Sequence, residues 1–344
     1  MSLPEFFSHY GTQVQCAAAL VALRWPQGFC CPRCSSAEHC GVGHGARKRF
    51  QCCGCRRQTS LTAGTVMDST KLPLTTGFLA IYRVSQDKAG LSALALMRHL
   101  DTSYRTAWLI HQKLMKTMAL RGSEQPLTGA VQVDDAYPGG ERPGAGGRGL
   151  PNKVPIAAAV STNDRGHPMQ VKLHQVAGFT CGAITTWARA NLRPGCDVRS
   201  DGLACFAGMI DADCVHSHIV VGGRLPREMP QFKRVNATLG NLKSLINGAH
   251  KAFKFSLYAS QYLGAFSYRF KRRIHLNSPL QNLLGHAAYT SPTREGQIQG
   301  VAEVHDQLVG PAELASRCFK TIFGLFWMVI SPGNQANGFS FLRD

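Results

Sequence analysis

The sequence predicts a multidomain α/β chain: a small cysteine-held unit, then a helical segment, then a mixed β-sheet. Three observations predict this. Two Cys-x-x-Cys pairs lie between residues 31 and 55, and seven of the thirteen cysteines crowd into residues 30–55. Apolar residues then recur at helical spacing as far as about residue 118, and from Ala130 the pattern changes to short strand-like runs. Two of those runs, residues 131–135 and 197–201, end on acids.

The 344 residues leave room for two or three domains. Against 20 Asp+Glu stand 38 Lys+Arg, a formal net charge of +18. Such an excess suits a polyanionic partner, because cations that neutralise phosphates release counterions; a basic but otherwise ordinary soluble protein is the competing reading. The clustered, odd number of cysteines argues against a secreted disulfide framework and for a metal site in a reducing compartment. No signal peptide is legible at the N-terminus, and the longest apolar run, residues 321–330, is far shorter than the ~20 residues that a membrane span requires. A soluble, cytoplasmic protein is expected.

Taken in order, residues 14–23 read as a helix that Arg24-Trp25-Pro26 should stop. Cys31-Pro-Arg-Cys34 and Cys52-Cys-Gly-Cys55 each form a knuckle that turns two thiolates toward one ion, and four thiolates close a tetrahedral zinc site. The neighbouring Cys30 and Cys53, and Cys40 and His44 between the pairs, leave the choice of ligands open. Arg47, Lys48, Arg49, Arg56 and Arg57 are interleaved with the knuckles, either for phosphate contact or as a solvated face. Residues 78–85 and 91–100 carry helical periodicity, a turn follows at residues 101–104, and a second periodic helix spans residues 104–118, with Asp101 or Ser103 as its N-cap. A helix, a short turn and a helix after a basic metal-binding unit suggest a helix-turn-helix whose second helix, opening on Tyr104 and Arg105, meets DNA; simple core packing is the alternative.

Residues 121–128 read as a linker. A strand over residues 130–135 follows, then a glycine-rich basic loop at residues 138–149 that lacks the Gly-Lys-Ser/Thr ending of a phosphate-binding loop. A hairpin is expected over residues 154–161 and 169–176, a helix over 180–192, and strands over 197–201 and 215–221. That order matches a mixed sheet of the ribonuclease H type, with Asp134 and Asp201 at the ends of neighbouring strands. From Met229 to Arg294 there is no acid, while Lys233, Arg234, Lys243, Lys251, Arg272 and Arg273 fall there among aromatics, a pattern that suits a phosphate backbone. No motif is legible after about residue 276.

In-line displacement at a phosphodiester is assisted by two divalent ions about 3.5–4 Å apart, and Mg²⁺ or Mn²⁺ takes hard oxygen ligands. Asp134 and Asp201 supply two. No acid is available on the next helix, where Asn236 offers an amide oxygen and Lys243, close to two turns on, shares its face. Asp135 and Glu228 are the other candidates for a third ligand.

These motifs in this order resemble the DDE-type insertion-sequence transposases with an N-terminal zinc ribbon, in the branch whose third acid is Asn followed by Lys. The resemblance rests on Arg24-Trp-Pro-Gln-Gly-Phe-Cys-Cys-Pro-Arg-Cys34, Cys52 to Cys55, Thr62-Ala-Gly-Thr65 and Thr102-Ser-Tyr-Arg-Thr-Ala-Trp108. It continues through Val131-Gln-Val-Asp-Asp-Ala-Tyr-Pro-Gly-Gly140, Ser200-Asp-Gly202 and Val235-Asn236 to Lys243, and covers roughly residues 10–275. The chain departs from the family in Asp135-Ala136, where a Glu-Thr or Glu-Ser pair is common.

The resemblance implies zinc on Cys31, Cys34, Cys52 and Cys55, and a catalytic set Asp134, Asp201, Asn236 and Lys243 with Mg²⁺ or Mn²⁺ on the two aspartates. It implies binding to the terminal inverted repeats and to target DNA, strand cleavage and strand transfer, a homo-oligomer on DNA, and a place at the nucleoid. Expected domains are the ribbon (1–60), a helical DNA-binding region (61–125), the catalytic domain (126–275) and a C-terminal tail (276–344). The alternatives are an inactive transposase that only binds DNA, and a zinc-ribbon nuclease acting on RNA or branched DNA.

Overall fold

In the computed structural model a three-stranded sheet, a bundle of helices and a five-stranded sheet follow one another. The structure describes residues 1–43, 48–87, 90–122, 125–137, 154–220, 222, 224, 228–250, 255–273 and 279–299. These belong to one compact unit, Met1–Gln299. The glycine-rich loop after residue 137, Arg47, Lys251, His44 and the apolar run at 321–330 lie outside the described residues.

Two helices open the chain, α1 (Leu3–Tyr10) and α2 (Gln13–Arg24), each with a capping box, from Ser2 with Glu5 and from Thr12 with Gln15. Only α2 is expected from the sequence. Strands β1 (His39–Val42), β2 (Arg49–Cys52) and β3 (Gln58–Ser60) make an antiparallel sheet in that order. Helices α3 (Leu74–Gln86), α4 (Ala93–Leu100) and α5 (Tyr104–Gly122) follow. Asp101 adopts the left-handed conformation that ends α4, and the Ser103 hydroxyl accepts from the Thr106 amide at the start of α5, so Ser103 is the cap of α5. The expected linker at 121–128 begins later, since α5 runs to Gly122.

The second sheet contains β4 (Ala130–Ala136), β5 (Ile156–Thr162), β6 (Pro168–Gln175), β7 (Asp197–Asp201) and β8 (Val215–Ile219), in the order β6-β5-β4-β7-β8. The first three strands pair antiparallel, and β4–β7 and β7–β8 are parallel. Helix α6 (Cys181–Asn191), capped by Thr180, and a 3₁₀ segment (Ala204–Ala212) cover one face. Helices α7 (Lys233–Ala249) and α8 (Phe255–Arg272) cover the other. Strand β5, Ile-Ala-Ala-Ala-Val-Ser-Thr, is buried on both faces, as a strand between two helical layers must be. The mixed α/β fold with a cysteine-held N-terminal unit and a ribonuclease H-like five-stranded sheet agrees with the sequence expectation.

Beyond residue 276, where no motif was legible, the chain forms α9 (Pro279–Tyr289) and the short α10 (Glu295–Gln299). Leu280, Leu283, Leu284, Ala287 and Ala288 of α9 are buried in one cluster with Phe6 and Leu20 of the N-terminal helices, Phe78 and Ile81 of α3, Leu114 of α5, and Phe29 and Phe50 of the ribbon. The Val66 amide donates to the Ala287 carbonyl, and the Tyr289 hydroxyl to the Leu23 carbonyl. The periodicity of α9 is that of any buried helix, so its place could be found only in three dimensions.

Candidate metal and DNA-cutting sites

In the ribbon, the Sγ atoms of Cys31, Cys34, Cys52 and Cys55 all lie within 4.8 Å of one another, with Cys31–Cys55 at 3.5 Å and Cys34–Cys52 at 3.4 Å. A tetrahedron with ~2.3 Å Zn–S bonds has S···S edges of about 3.8 Å, so this donor set fits zinc. The Arg33 amide donates to Cys31 Sγ at 3.5 Å, and amide donation holds that thiol down to about 6, favouring the thiolate that binds metal. Cys30, Cys40 and Cys53 are exposed and lie outside the cluster. Lys48, Arg49, Arg56 and Arg57 are all exposed on this unit, with the Lys48 ammonium 5.6 Å from the Phe50 ring centre.

The second site sits where the parallel strands β4 and β7 end. Register pairs Ala130 with Asp197 and Gln132 with Arg199, and two residues further along both strands stand Asp134 and Asp201. Alternation of side chains places both on the face covered by α7, the face that Ala136 and Ile156 share with Val235. Asp135 leaves the opposite face, where its charge and that of Asp201 act on the Cys205 thiol. At the strand end all three carboxylates converge, with oxygens within 4.8 Å of one another. Three hard oxygen donors this close suit a divalent cation, which offsets their mutual repulsion. The Asp135 amide donates to Asp134 Oδ1 at 2.9 Å, and the Leu203 amide to Asp201 Oδ1 at 3.3 Å. Behind Asp201 the buried Ser200 hydroxyl donates to the Asp201 carbonyl at 2.9 Å and lies 2.8 Å from His216 Nε2.

The acids floor a cleft of about 610 Å³, and Asn236 and Arg224 line the same cleft. Asn236 lies on α7 one turn from its start, partly exposed; Lys243 is exposed on the same helix, about 10 Å further along its axis. Glu228 is exposed and outside both the acid trio and the cleft lining. Sequence reasoning missed Arg224. Its local sequence carries no periodicity or motif, and only the fold brings it to the cleft.

The remaining basic residues divide. Lys233 is exposed, Tyr104 is 54% exposed, and Arg105 is exposed while paired with Glu295 at 2.9 Å. Arg234 turns inward, its Nε donating to the Gly166 carbonyl at 2.7 Å. The Arg272 guanidinium lies 3.6 Å from the Tyr268 ring centre, and that of Arg273 lies 3.6 Å from the Phe270 ring centre while donating to the Phe270 and Pro168 carbonyls. Among the aromatics of α8, Tyr262, Phe266 and Tyr268 are core.

Residues 126–271 match the ISXO2-like transposase domain, and residues 11–58 match the transposase zinc-ribbon domain. The chain belongs to the insertion-sequence transposases with an N-terminal zinc ribbon. It is also similar to an uncharacterized protein in transposable element ISH50 of Halobacterium salinarum, 29% identical over 122 residues, which are 35% of this chain and 40% of that protein. The ribbon match ends just after the second cysteine pair, and the transposase-domain match contains Asp134, Asp201, Asn236 and Lys243. Among the described residues no helix is long and apolar enough to cross a membrane.

Proposed function

We propose that this chain binds the terminal inverted repeats of its own element and cuts and joins DNA strands there with Mg²⁺ or Mn²⁺. The observation that carries this is the convergence of Asp134, Asp135 and Asp201 with Asn236 in one cleft, at the ends of parallel strands of a ribonuclease H-like sheet. A divalent cation bound there supplies charge stabilisation at the attacking and leaving oxygens of the phosphodiester.

Asp134 and Asp201 share the α7 face and hold the cation. Asn236, on the helix above them, offers an amide oxygen in place of the third acid, and Asp135 contributes negative charge from the far face. Lys243 lies along α7 to take a neighbouring phosphate, while Arg224 faces the cleft as a second cation. The exposed Lys48, Arg49, Arg56 and Arg57 of the ribbon, and Tyr104 and Arg105 at the start of α5, hold the repeat; Lys233, Arg234, Arg272 and Arg273 extend a positive face along the flanking duplex. Arg47 and Lys251 join these sets by sequence position.

We take the boundaries near 60, 125 and 275 as functional divisions, since one buried cluster crosses the first and includes α9. Assembly as a homo-oligomer on paired DNA ends, at the nucleoid in the cytoplasm, follows from the same reading. The second reading, a transposase that binds repeats without cutting them, is favoured by one observation: the residue above the two aspartates is a neutral amide.

The test is nicking of a labelled duplex that ends in the element's inverted repeat, in Mg²⁺ and separately in Mn²⁺. Loss of at least about 100-fold in Asn236→Ala, with a smaller loss in Asp135→Ala, supports Asn236 as the third ligand. The reverse order assigns that role to Asp135. Repeat binding without nicking in either metal favours the second reading.

A further inference from the structure

Helix α7 carries Asn236, and it begins without a cap of the usual kind. Its N-cap residue is Phe232, whose side chain offers no acceptor. The first amides of a helix must find partners elsewhere. Here they find Gln132. Its Oε1 accepts from the Arg234 amide and from the Val235 amide, both at 3.1 Å, across more than 100 residues of sequence. Gln132 sits on β4 two residues before Asp134, so strand alternation gives the two side chains the same face. Asn236 follows Val235 directly. One side chain therefore joins the strand that carries the first acid to the first turn of the helix that carries the amide.

We propose that Gln132 is a positioning residue that sets Asn236 against Asp134 and Asp201. A neutral amide is a weaker ligand than a carboxylate, and its contribution depends more on being held in place. The apolar contacts of Val235 and Leu239 with the sheet fix the depth of α7 but leave rotation about its axis and sliding along it poorly defined. Two hydrogen bonds to a single oxygen at the helix start define both. This inference rests on Asn236 acting as a ligand, as set out above.

The experiment measures Mn²⁺ binding to the zinc-loaded full chain by electron paramagnetic resonance, without DNA, in wild type, Gln132→Leu, Gln132→Glu, Asn236→Ala and the double variant Gln132→Leu/Asn236→Ala. Gln132→Leu should weaken Mn²⁺ binding by about 10-fold, as loss of an outer partner of a ligand does. Gln132→Glu, which keeps an acceptor beneath the helix start, should restore most of it. In the Asn236→Ala background Gln132→Leu should change Mn²⁺ binding no further, an outcome that general loosening of the fold does not produce. Wild-type binding in Gln132→Leu, an equal loss in both backgrounds, or no effect of Asn236→Ala itself would overturn the proposal. Because the readout needs no cleavage, an absence of nicking would count against the catalytic reading alone.

Discussion

At the scale of single residues, the difference between legible and hidden positions is one of range. The four cysteines announce themselves by spacing, and Asp134 and Asp201 by ending strand-like runs. Gln132, Arg224 and the Ser200–His216 pair act through contacts that span up to about a hundred residues; Gln132 and Ser200 stand inside quoted motifs, but nothing in the local sequence shows what they touch. Arg105 shows how a visible residue gains a second meaning in three dimensions. Its pair with Glu295 is screened by solvent on the arginine side and adds little to stability. Arg105→Ala should therefore leave the thermal midpoint within about 1 °C of wild type while lowering repeat affinity and reducing the slope of log K against log salt by about 0.9. An unchanged slope would remove Arg105 from the DNA contacts.

At the scale of elements, pattern found nearly every helix and strand of the sheet domain, because the change from helical to strand periodicity near residue 130 is sharp. It missed α1, α9 and α10, which are short and bear no chemistry. Strand pairing was partly legible, but the packing of helix on helix was not. Helices α5 and α8 meet closely at Gly264, where an added Cβ would collide with the Ala119 Cβ. Gly264→Ala gains about 1 kcal/mol in helix propensity, but crowding here must push the helices apart. A net loss of roughly 1–3 kcal/mol in urea denaturation is expected. A variant as stable as wild type would show that the contact yields.

At the scale of the molecule, the ribbon and the helices share one core, since Cys31, Cys52, Phe29 and Phe50 are buried together with α3, α5 and α9. Removing zinc with a strong chelator should therefore do more than release a ribbon. The thermal midpoint of the helical unit should fall and repeat binding should be lost together. A chelated protein with an unchanged midpoint would separate the two.

The same core holds three histidines whose protonation opposes folding. Burial pushes His111 down to about 3 and both His250 and His286 to about 4, with nearby arginines adding to the effect. All lie below the ordinary 6.5, so as pH falls through 6.5 the unfolded chain takes up protons that the native chain refuses, and stability declines toward pH 4. The slope approaches about 1.4 kcal/mol per pH unit for each histidine. Calorimetry on zinc-loaded protein between pH 7 and 5 should show this decline, and His111→Leu should show a shallower one.

On the proposed function, Asp134, Asp201 and Asn236 form a working metal-dependent site for DNA strand transfer. The decisive assay joins a pre-cut inverted-repeat end, bearing a free 3′-hydroxyl, to a supercoiled plasmid in Mg²⁺ or Mn²⁺, with wild type beside Asp201→Ala. Joined product is expected with wild type in either metal, none after chelation, and at least about a 100-fold loss with Asp201→Ala. Repeat binding by both proteins with no joined product from either would contradict it.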